Sequence, residues 1–216
     1  MQTNSENVNP KLVLFDIGGV IIDLDFSDAR TTLESEYLMD PESFLELTRS
    51  SFKAQVLSVT EKAMIGTIGT DEYLLAFQKA CKRPVPVETV QRLRTSMLGP
   101  ERPEMLAFLQ ELRKEIRLAA FTNTIELHWS LLTDPRNYRF PQLFETVFAS
   151  HLIGEAKPSR QSFSTVLDAL GLSPEEVVFI DDSEANVSGA SQLGIKGIVF
   201  KNLGSLREEL RQYMNL

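Results

Sequence analysis

Short apolar runs alternate with amphipathic stretches along most of the chain. Each run is rich in branched or aromatic side chains and is bounded by polar residues or glycine, which is typical of strands buried on both faces. The stretches between the runs repeat apolar residues at helical spacing and carry caps, such as Ser159 before one stretch and Gly171 after it. The predicted strands cover residues 12–15, 116–121, 146–150, 177–180 and 197–200. Strands that alternate with helices favour an α/β fold with a parallel sheet and right-handed crossovers.

The pattern changes between residues 26 and 98, where the sequence predicts helices and no strand. A helix start is indicated at Asp40-Pro41-Glu42, and Pro84-Val85-Pro86 separates two later helices. About 70 residues are few for a free-standing domain, so we interpret this segment as an insertion that packs over the sheet. The predicted core domain therefore comprises residues 11–25 and 99–216, with a short flap or hairpin at 20–26 and a linker at 99–103.

Polar residues directly follow three of the predicted strands. Asp16 comes after the first, Thr122 after the second, and the pair Asp181-Asp182 after the fourth. In a parallel sheet these strand ends lie at one edge, where open α/β sheets bind their ligands. We therefore expect the residues to meet in one cleft, with the pair Gly18-Gly19 letting the backbone come close to whatever Asp16 touches. The insertion leaves the sheet at the same edge and is placed to cover the cleft.

Three converging carboxylates, from Asp16, Asp181 and Asp182, repel one another unless a cation neutralises them. The ligands on offer are all oxygen atoms, which favours Mg²⁺ over zinc or copper. Thr122, Lys157 and backbone N–H groups can complete a phosphate-binding site beside such a cation. The Asp16 carboxylate can then attack phosphorus and form an aspartyl-phosphate. Taken singly, each of these residues has an alternative interpretation as a helix cap or a surface charge.

Composition limits the remaining classes of function. The chain has 216 residues and a net charge of −8, so it lacks the basic excess that a broad nucleic-acid interface requires. Its single cysteine, Cys81, excludes an internal disulfide and a multi-cysteine metal site. No apolar run reaches the ~18 residues of a membrane span, no signal peptide is visible, and residues 1–10 are expected to be a loose tail. We expect a cytoplasmic monomer or homodimer that binds a small phosphorylated metabolite and neither nucleic acid nor membrane.

From about residue 11 to 203 the chain resembles the haloacid-dehalogenase-like (HAD) hydrolase superfamily. Four segments match the sequence motifs of this superfamily, in the same order and at the expected strand or helix boundaries. They are Leu14-Phe15-Asp16-Ile17-Gly18-Gly19-Val20, Phe121-Thr122-Asn123, Lys157-Pro158 and Phe179-Ile180-Asp181-Asp182-Ser183, with Asn186 one turn on. The resemblance implies a Rossmann-like doubly wound parallel sheet with an inserted α-helical cap of the C1 type at residues 26–98. Within the superfamily the chain looks most like the bacterial α-D-glucose-1-phosphatase-like sugar-phosphate phosphatases.

The resemblance implies a role for each acidic residue of the cleft. Asp16 is expected to be the nucleophile and a Mg²⁺ ligand, the backbone carbonyl of Gly18 a second ligand, and Asp182 a third. Asp181 is expected to bind the cation through water or to orient the site. The implied reaction is Mg²⁺-dependent hydrolysis of a phosphomonoester of a small metabolite, such as the sugar phosphate glucose 1-phosphate, through an aspartyl-phosphate on Asp16.

The same resemblance implies how the phosphoryl group is held. The Thr122 side chain and the backbone N–H of Asn123 are expected to bind phosphate oxygens. Lys157 is expected to neutralise charge on Asp16 and on the phosphoryl group. Asp16 and Lys157 are therefore the candidate catalytic residues, and Thr122, Asn123 and Lys157 the candidate phosphate-binding residues.

One position departs from the superfamily's pattern. Most of its phosphatases carry a second Asp two residues after the nucleophile as general acid and base, and this chain has Gly18 there. General acid–base help is typically worth about 10²–10⁴ in rate, so its loss favours a good leaving group, such as that of an anomeric phosphate. Asp23, Asp25 or His128 could substitute, each with a surface or packing role as the alternative. A catalytically impaired phosphate-binding or regulatory protein and a metal-free haloacid dehalogenase are the alternative functions.

Overall fold

The computed structural model describes residues 9–52 and 54–214. Its strands are β1 (Leu12–Phe15), β2 (Ile22–Leu24), β3 (Leu98–Glu101), β4 (Arg117–Thr122), β5 (Thr146–Ala149), β6 (Val177–Asp181) and β7 (Lys196–Val199). Five of them form a parallel sheet in the order β5-β4-β1-β6-β7. Every predicted strand is present, and the predicted parallel α/β fold is confirmed. The predicted tail at residues 1–10 lies almost wholly outside the described residues.

Helices cover both faces of this sheet. They are α1 (Ser27–Ser35), α2 (Pro41–Thr48), α3 (Val59–Met64), α4 (Thr70–Ala80), α5 (Val87–Thr95), α6 (Pro103–Leu112), α7 (Glu126–Leu132), α8 (Ser150–Ile153), α9 (Arg160–Leu170), α10 (Glu184–Ser191) and α11 (Leu203–Tyr213). Val13 and Phe15 of β1 pack in one hydrophobic cluster with α6 and α11. Leu12 and Leu14 point to the other face and pack in a cluster with α9 and α10. The side chains of the fully buried strand β1 thus alternate between two clusters, and helices pack on both faces of the sheet, as in a doubly wound fold.

The register of the sheet brings the strand ends together. Phe15, the last residue of β1, lies opposite Ala120 of β4 on one side and Ile180 of β6 on the other. The chain runs from β1 outward through β4 and β5, then returns to the opposite side for β6 and β7. The direction of winding thus reverses next to β1, and ligands of open α/β sheets bind at such a reversal.

Helices α1 to α5 form the segment that we call the helical insert, residues 27–95. It has its own hydrophobic cluster, which includes Phe44 and Phe77. Ile125 and Leu127, from the segment that follows β4, belong to the same cluster, so the insert shares its interior with the start of α7. The exact division into a core domain and a cap at residues 26–98 stays a prediction.

Two predicted loops contain regular structure. The predicted linker at 99–103 begins inside β3, which pairs antiparallel with β2. Gly99 and Pro100 hide this strand in the sequence because both are unusual in strands, yet a two-stranded surface ribbon tolerates them. The predicted loop after β5 contains the short helix α8. No helix in the described residues combines the length and the hydrophobicity that crossing a bilayer requires.

Candidate active site

Three carboxylates from two neighbouring strand ends converge at the carboxyl edge of the sheet. Asp16 follows β1 directly, and its backbone N–H donates to the carbonyl of Ile180 at 2.8 Å, which holds it against β6. Asp181 ends β6, and Asp182 comes next. One oxygen from each carboxylate lies within 4.8 Å of the others. The sheet register therefore brings together residues that are 165 and 166 positions apart, as the sequence analysis expects.

A buried lysine lies between two of these acids. The Nζ of Lys157 donates to Asp16 Oδ1 at 2.8 Å, to Asp181 Oδ2 at 2.7 Å and to the carbonyl of Phe121 at 2.8 Å. These bonds use all the protons of the ammonium group, and the side chain is 1% exposed. These bonds hold the Lys157 ammonium group beside Asp16, the candidate nucleophile, where it offsets part of the negative charge of the carboxylates.

Asp181 has no spare acceptor capacity. Besides Lys157, it accepts from the backbone N–H of Ser183 at 2.8 Å and from the side-chain amide of Asn186 at 3.1 Å on both oxygens. The lone pairs of Asp181 are committed to these donors, and its two predicted roles, binding the cation through water or orienting the site, stay predictions. Asp182 is more exposed than Asp181, and its carboxylate lies beside that of Asp16 in the cluster that could hold a metal ion.

The site carries more negative than positive charge. Burial, with a contribution from Asp181, outweighs the opposing effect of Lys157 and raises the pKa of Asp16 to about 7. Burial and Asp181 also raise the pKa of Asp182. Burial alone would lower the pKa of Lys157, but Asp16 and Asp181 together hold it above its ordinary value. One lysine does not neutralise three carboxylates, so a divalent cation fits both the residual charge and the all-oxygen ligand set.

The glycine pair after Asp16 permits close packing. Gly19 has φ +74°, and a Cβ there would lie 2.2 Å from Asp182 Oδ2, so only glycine lets this turn approach the carboxylate. A Cβ at Gly18 would lie 2.8 Å from Leu24 Cδ1. The space beside position 18 is therefore filled by an apolar side chain from β2.

The residues predicted to bind phosphate lie at the end of β4 and in the loop that carries Lys157. Thr122 ends β4 and is 5% exposed. The Asn123 side chain forms a reciprocal pair with the backbone of Lys157, donating to its carbonyl at 2.8 Å and accepting from its N–H at 2.9 Å. The sequence analysis assigns only the backbone of Asn123, and it does not anticipate that this side chain holds the lysine loop in place.

The three candidates to replace the missing general acid have other partners. Asp23 accepts from Arg102 Nε at 2.9 Å, and Asp25 accepts from the backbone and hydroxyl of Ser27 at 2.8 and 2.6 Å. His128 is buried, with Nε2 2.8 Å from the carbonyl of Arg94. Burial, with the nearby charge of Arg94, lowers the pKa of His128 to about 4. All three therefore have structural partners, as their alternative interpretations propose.

A cavity of about 670 Å³ opens above these residues. Its floor includes Asp16, Thr122, Lys157 and Asp182. The walls are contributed by β2 and by the helical insert. The residues from these elements include Leu24, Phe44, Leu45, Thr48, Tyr73 and Arg94. The insert therefore covers the carboxyl edge of the sheet, and a molecule held at Asp16 lies against side chains from both parts.

The sequence matches a family and individual relatives over most of its length. The model for haloacid dehalogenase-like hydrolases matches residues 10–194. The D-ribitol-5-phosphate phosphatase of Bacteroides thetaiotaomicron is 22% identical over 209 residues, which cover 95% of this chain and 98% of that protein. The sesquiterpene phosphatase astK of Aspergillus oryzae is 24% identical over 205 residues, which cover 94% of this chain and 95% of that protein.

Solved structures agree with this match. The crystal structure of a HAD family enzyme from Bacteroides thetaiotaomicron, in complex with magnesium and inorganic phosphate, aligns with a TM-score of 0.78 at 25% identity, covering 91% of this chain and 98% of that one. L-2-haloacid dehalogenase from Xanthobacter autotrophicus aligns with a TM-score of 0.59 at 20% identity, covering 93% and 82%, and shares the fold. The predicted superfamily and the predicted doubly wound fold are confirmed, and the chain belongs to the haloacid dehalogenase-like hydrolases.

Proposed function

We propose that the chain is a Mg²⁺-dependent phosphatase that hydrolyses a phosphomonoester of a small metabolite through an aspartyl-phosphate on Asp16. The observation that carries the proposal is the cluster at the cavity floor, where Asp16 lies beside Lys157 and within 4.8 Å of the carboxylates of Asp181 and Asp182. The full-length similarity to two phosphatases supports the same enzyme class.

The chain's own residues suit nucleophilic displacement at phosphorus. The Asp16 carboxylate oxygen forms a bond to phosphorus while the bond to the ester oxygen breaks, and the alkoxide that leaves takes a proton from water. Water then attacks the phosphorus of the aspartyl-phosphate, which releases inorganic phosphate and the Asp16 carboxylate. In this proposal the Thr122 hydroxyl and the Asn123 backbone N–H, whose residues line the cavity, hold phosphate oxygens, and the hydrogen bond from Lys157 keeps Asp16 oriented in both steps.

Magnesium is the cation bound in the related Bacteroides structure. Asp16, Asp182 and the Gly18 carbonyl are the residues that would hold it in this chain, with Asp181 orienting Lys157 and Asn186 nearby. A divalent cation there supplies positive charge that stabilises the phosphoryl oxygens during transfer. Burial and the neighbouring Asp181 raise the pKa of Asp16 to about 7, and a cation held beside Asp16 would counter both effects.

We further propose a sugar phosphate as the substrate, with glucose 1-phosphate as the first to test. The D-ribitol-5-phosphate phosphatase, which acts on a phosphorylated sugar alcohol by its name, is a full-length relative. Residue 18 is glycine, so the site has no carboxylic acid at that position to protonate the leaving group. The side chain of Leu24 fills the adjacent space. An anomeric phosphate leaves more easily than an alkyl phosphate and depends less on such help.

The test is phosphate release from a panel of phosphorylated sugars and p-nitrophenyl phosphate, with Mg²⁺ and with a chelator. Asp16→Asn is expected to lower kcat by at least about 10³-fold, as loss of a nucleophile does, and the chelator to abolish turnover. Asp168→Asn makes the same chemical change at an exposed position of α9 and serves as the matched control. Retained turnover by Asp16→Asn would refute the proposal. Chloride release from 2-chloropropionate would indicate a dehalogenase, and binding of beryllium fluoride without turnover a regulatory protein.

A further inference from the structure

Arg94, on helix α5 of the helical insert, is a buried cation without a carboxylate partner. Its side chain is 2% exposed, and no carboxylate in the described residues lies within ion-pair distance of it. The Nη1 atom is buried and has no hydrogen-bond partner in the described part of the chain. An isolated charge is costly to bury. Packing of the insert would be served by an apolar side chain, so packing alone does not explain an arginine at this position.

The neighbours of Arg94 satisfy only one edge of its guanidinium group. Nε donates to the hydroxyl of Tyr73 at 2.9 Å, and the group stacks over the ring of Phe77, with 4.9 Å between Cζ and the ring centroid. On the other edge, Nη2 has only the weakly accepting sulfur of Met97 at 3.8 Å. The edge formed by Nη1 and Nη2 is one of the two edges through which a guanidinium group can bind an oxyanion in bidentate fashion. Met97 is unbranched and adaptable, so the side chain that borders this edge can shift.

Arg94 also lines the cavity above Asp16. The charged residues that line this cavity in the described chain are Asp16, Asp182, Lys157, Arg30 and Arg94. The acids lie at the floor with Lys157, whereas the insert contributes only arginines. Arg30 is exposed and is paired with Glu34 at 2.7 Å, which leaves Arg94 as the cation whose anion is missing. On the insert side of the cavity, this one unpaired positive charge favours an anionic ligand.

We propose that Arg94 binds a second oxyanionic group of the substrate, so that the substrate is a sugar phosphate with a carboxylate or a second phosphate at the end remote from the reacting phosphoryl group. The inference rests on the proposed phosphatase function and adds the class of substrate to it. A charge-assisted pair formed with a buried guanidinium group is strong, and it removes the cost of burying the Arg94 charge without a partner. Arg94 is then a specificity-determining residue of the insert, which the sequence analysis does not identify.

Matched substrate pairs test this role. 6-Phosphogluconate is compared with glucitol 6-phosphate, and glucose 1,6-bisphosphate with glucose 1-phosphate. We expect kcat/KM of the wild type to favour the doubly anionic member of at least one pair by about 10- to 100-fold, the range expected for a charged hydrogen bond. Arg94→Met should abolish this preference, and Arg94→Lys should restore part of it. Arg92→Met removes the same charge from an exposed position of α5 and should leave the preference unchanged.

Stability and binding measurements separate the other outcomes. Replacing a buried charge with an apolar side chain of similar volume is often neutral or stabilising, so Arg94→Met should unfold at the wild-type temperature or above it. A lower unfolding temperature, together with unchanged substrate ratios, would show a purely structural role and overturn the inference. If no substrate is hydrolysed, the phosphatase proposal fails, and the inference is tested by the thermal shift with 6-phosphogluconate. In the wild type, 6-phosphogluconate should raise the unfolding temperature more than glucitol 6-phosphate does. In Arg94→Met the two ligands should raise it equally. Equal increases in the wild type would overturn the inference.

Discussion

Replacing Asp16 with asparagine in the metal-free protein should raise its free energy of unfolding at neutral and alkaline pH. The ionised Asp16 carboxylate is buried beside Asp181, and Lys157 compensates only part of the resulting charge. Asparagine removes the excess negative charge while its side-chain oxygen can still accept from Lys157. The residue that we propose as the nucleophile is thus one whose charge destabilises the protein when no cation is bound.

The expected size follows from the pKa of Asp16, which is raised from 3.8 to about 7. The pKa of Asp16 is higher in the folded state than in the unfolded state, so ionisation of Asp16 lowers the free energy of unfolding. The wild type keeps its full stability below pH 3.8 and loses stability as the pH rises from there to about 7. At about 1.4 kcal/mol for each pH unit between the two values, the loss reaches about 4 kcal/mol at pH 8 and about 2 kcal/mol at pH 5.5. The advantage of Asp16→Asn over the wild type should therefore grow with pH.

The assay is urea denaturation of wild type and Asp16→Asn at pH 5.5 and at pH 8, in EDTA and in excess Mg²⁺. Mg²⁺ binds the folded wild type, so it should narrow or reverse the difference at pH 8 by mass action. Asp168→Asn, at the exposed position on α9, should show no advantage that depends on Mg²⁺. If Asp16→Asn is less stable than the wild type at pH 8 in EDTA, the electrostatic reasoning about this site is wrong.

Three further changes test individual contacts. Lys157→Met leaves two buried carboxylates without their cation and should lower stability at pH 8 by about 3–5 kcal/mol; a loss below about 1 kcal/mol in urea denaturation would contradict this. Gly19→Ala forces a Cβ to within 2.2 Å of Asp182 Oδ2 and should weaken Mg²⁺ binding in isothermal titration, whereas unchanged affinity would show that the turn adapts. Gly18→Asp combined with Leu24→Ala, which makes room for the new acid, should raise kcat/KM for alkyl phosphates relative to p-nitrophenyl phosphate by about 10-fold or more. Equal changes for both ester classes would mean that the new acid does not reach the leaving group.

The floor of the site could be predicted from the sequence because it depends on strand ends. Asp16, Thr122 and Asp181 each follow an apolar run that is typical of a buried strand, and parallel strands end at one edge. The local pattern of apolar residues therefore predicts both the strands and the edge of the sheet at which these polar residues meet. The same pattern placed the helix starts at Pro41 and Arg160, where a proline or a serine cap marks the first turn.

The roof of the site could not be predicted in the same way. Arg92 and Arg94 stand two residues apart on α5, and Arg92 is exposed whereas Arg94 is buried. Helical spacing with Val90 and Leu93 puts Arg94 on the apolar side of α5, but this spacing does not reveal that Arg94 bonds to Tyr73 and lines the cavity, because both depend on long-range contacts. The sequence pattern does not predict strand β3 either, because Gly99 and Pro100 have low strand propensity and the pairing with β2 comes from residues far away in sequence.

The hydrophobic cluster that joins the helical insert to Ile125 and Leu127 limits how the protein can be re-engineered. A chimera that exchanges residues 27–95 for the corresponding segment of a relative would leave those two side chains facing a foreign surface. They come three and five residues after Thr122, so a poor fit would disturb the loop that we propose holds phosphate. A functional graft should therefore include α7 of the donor with its helices, and substrate preference and turnover would then be inherited together.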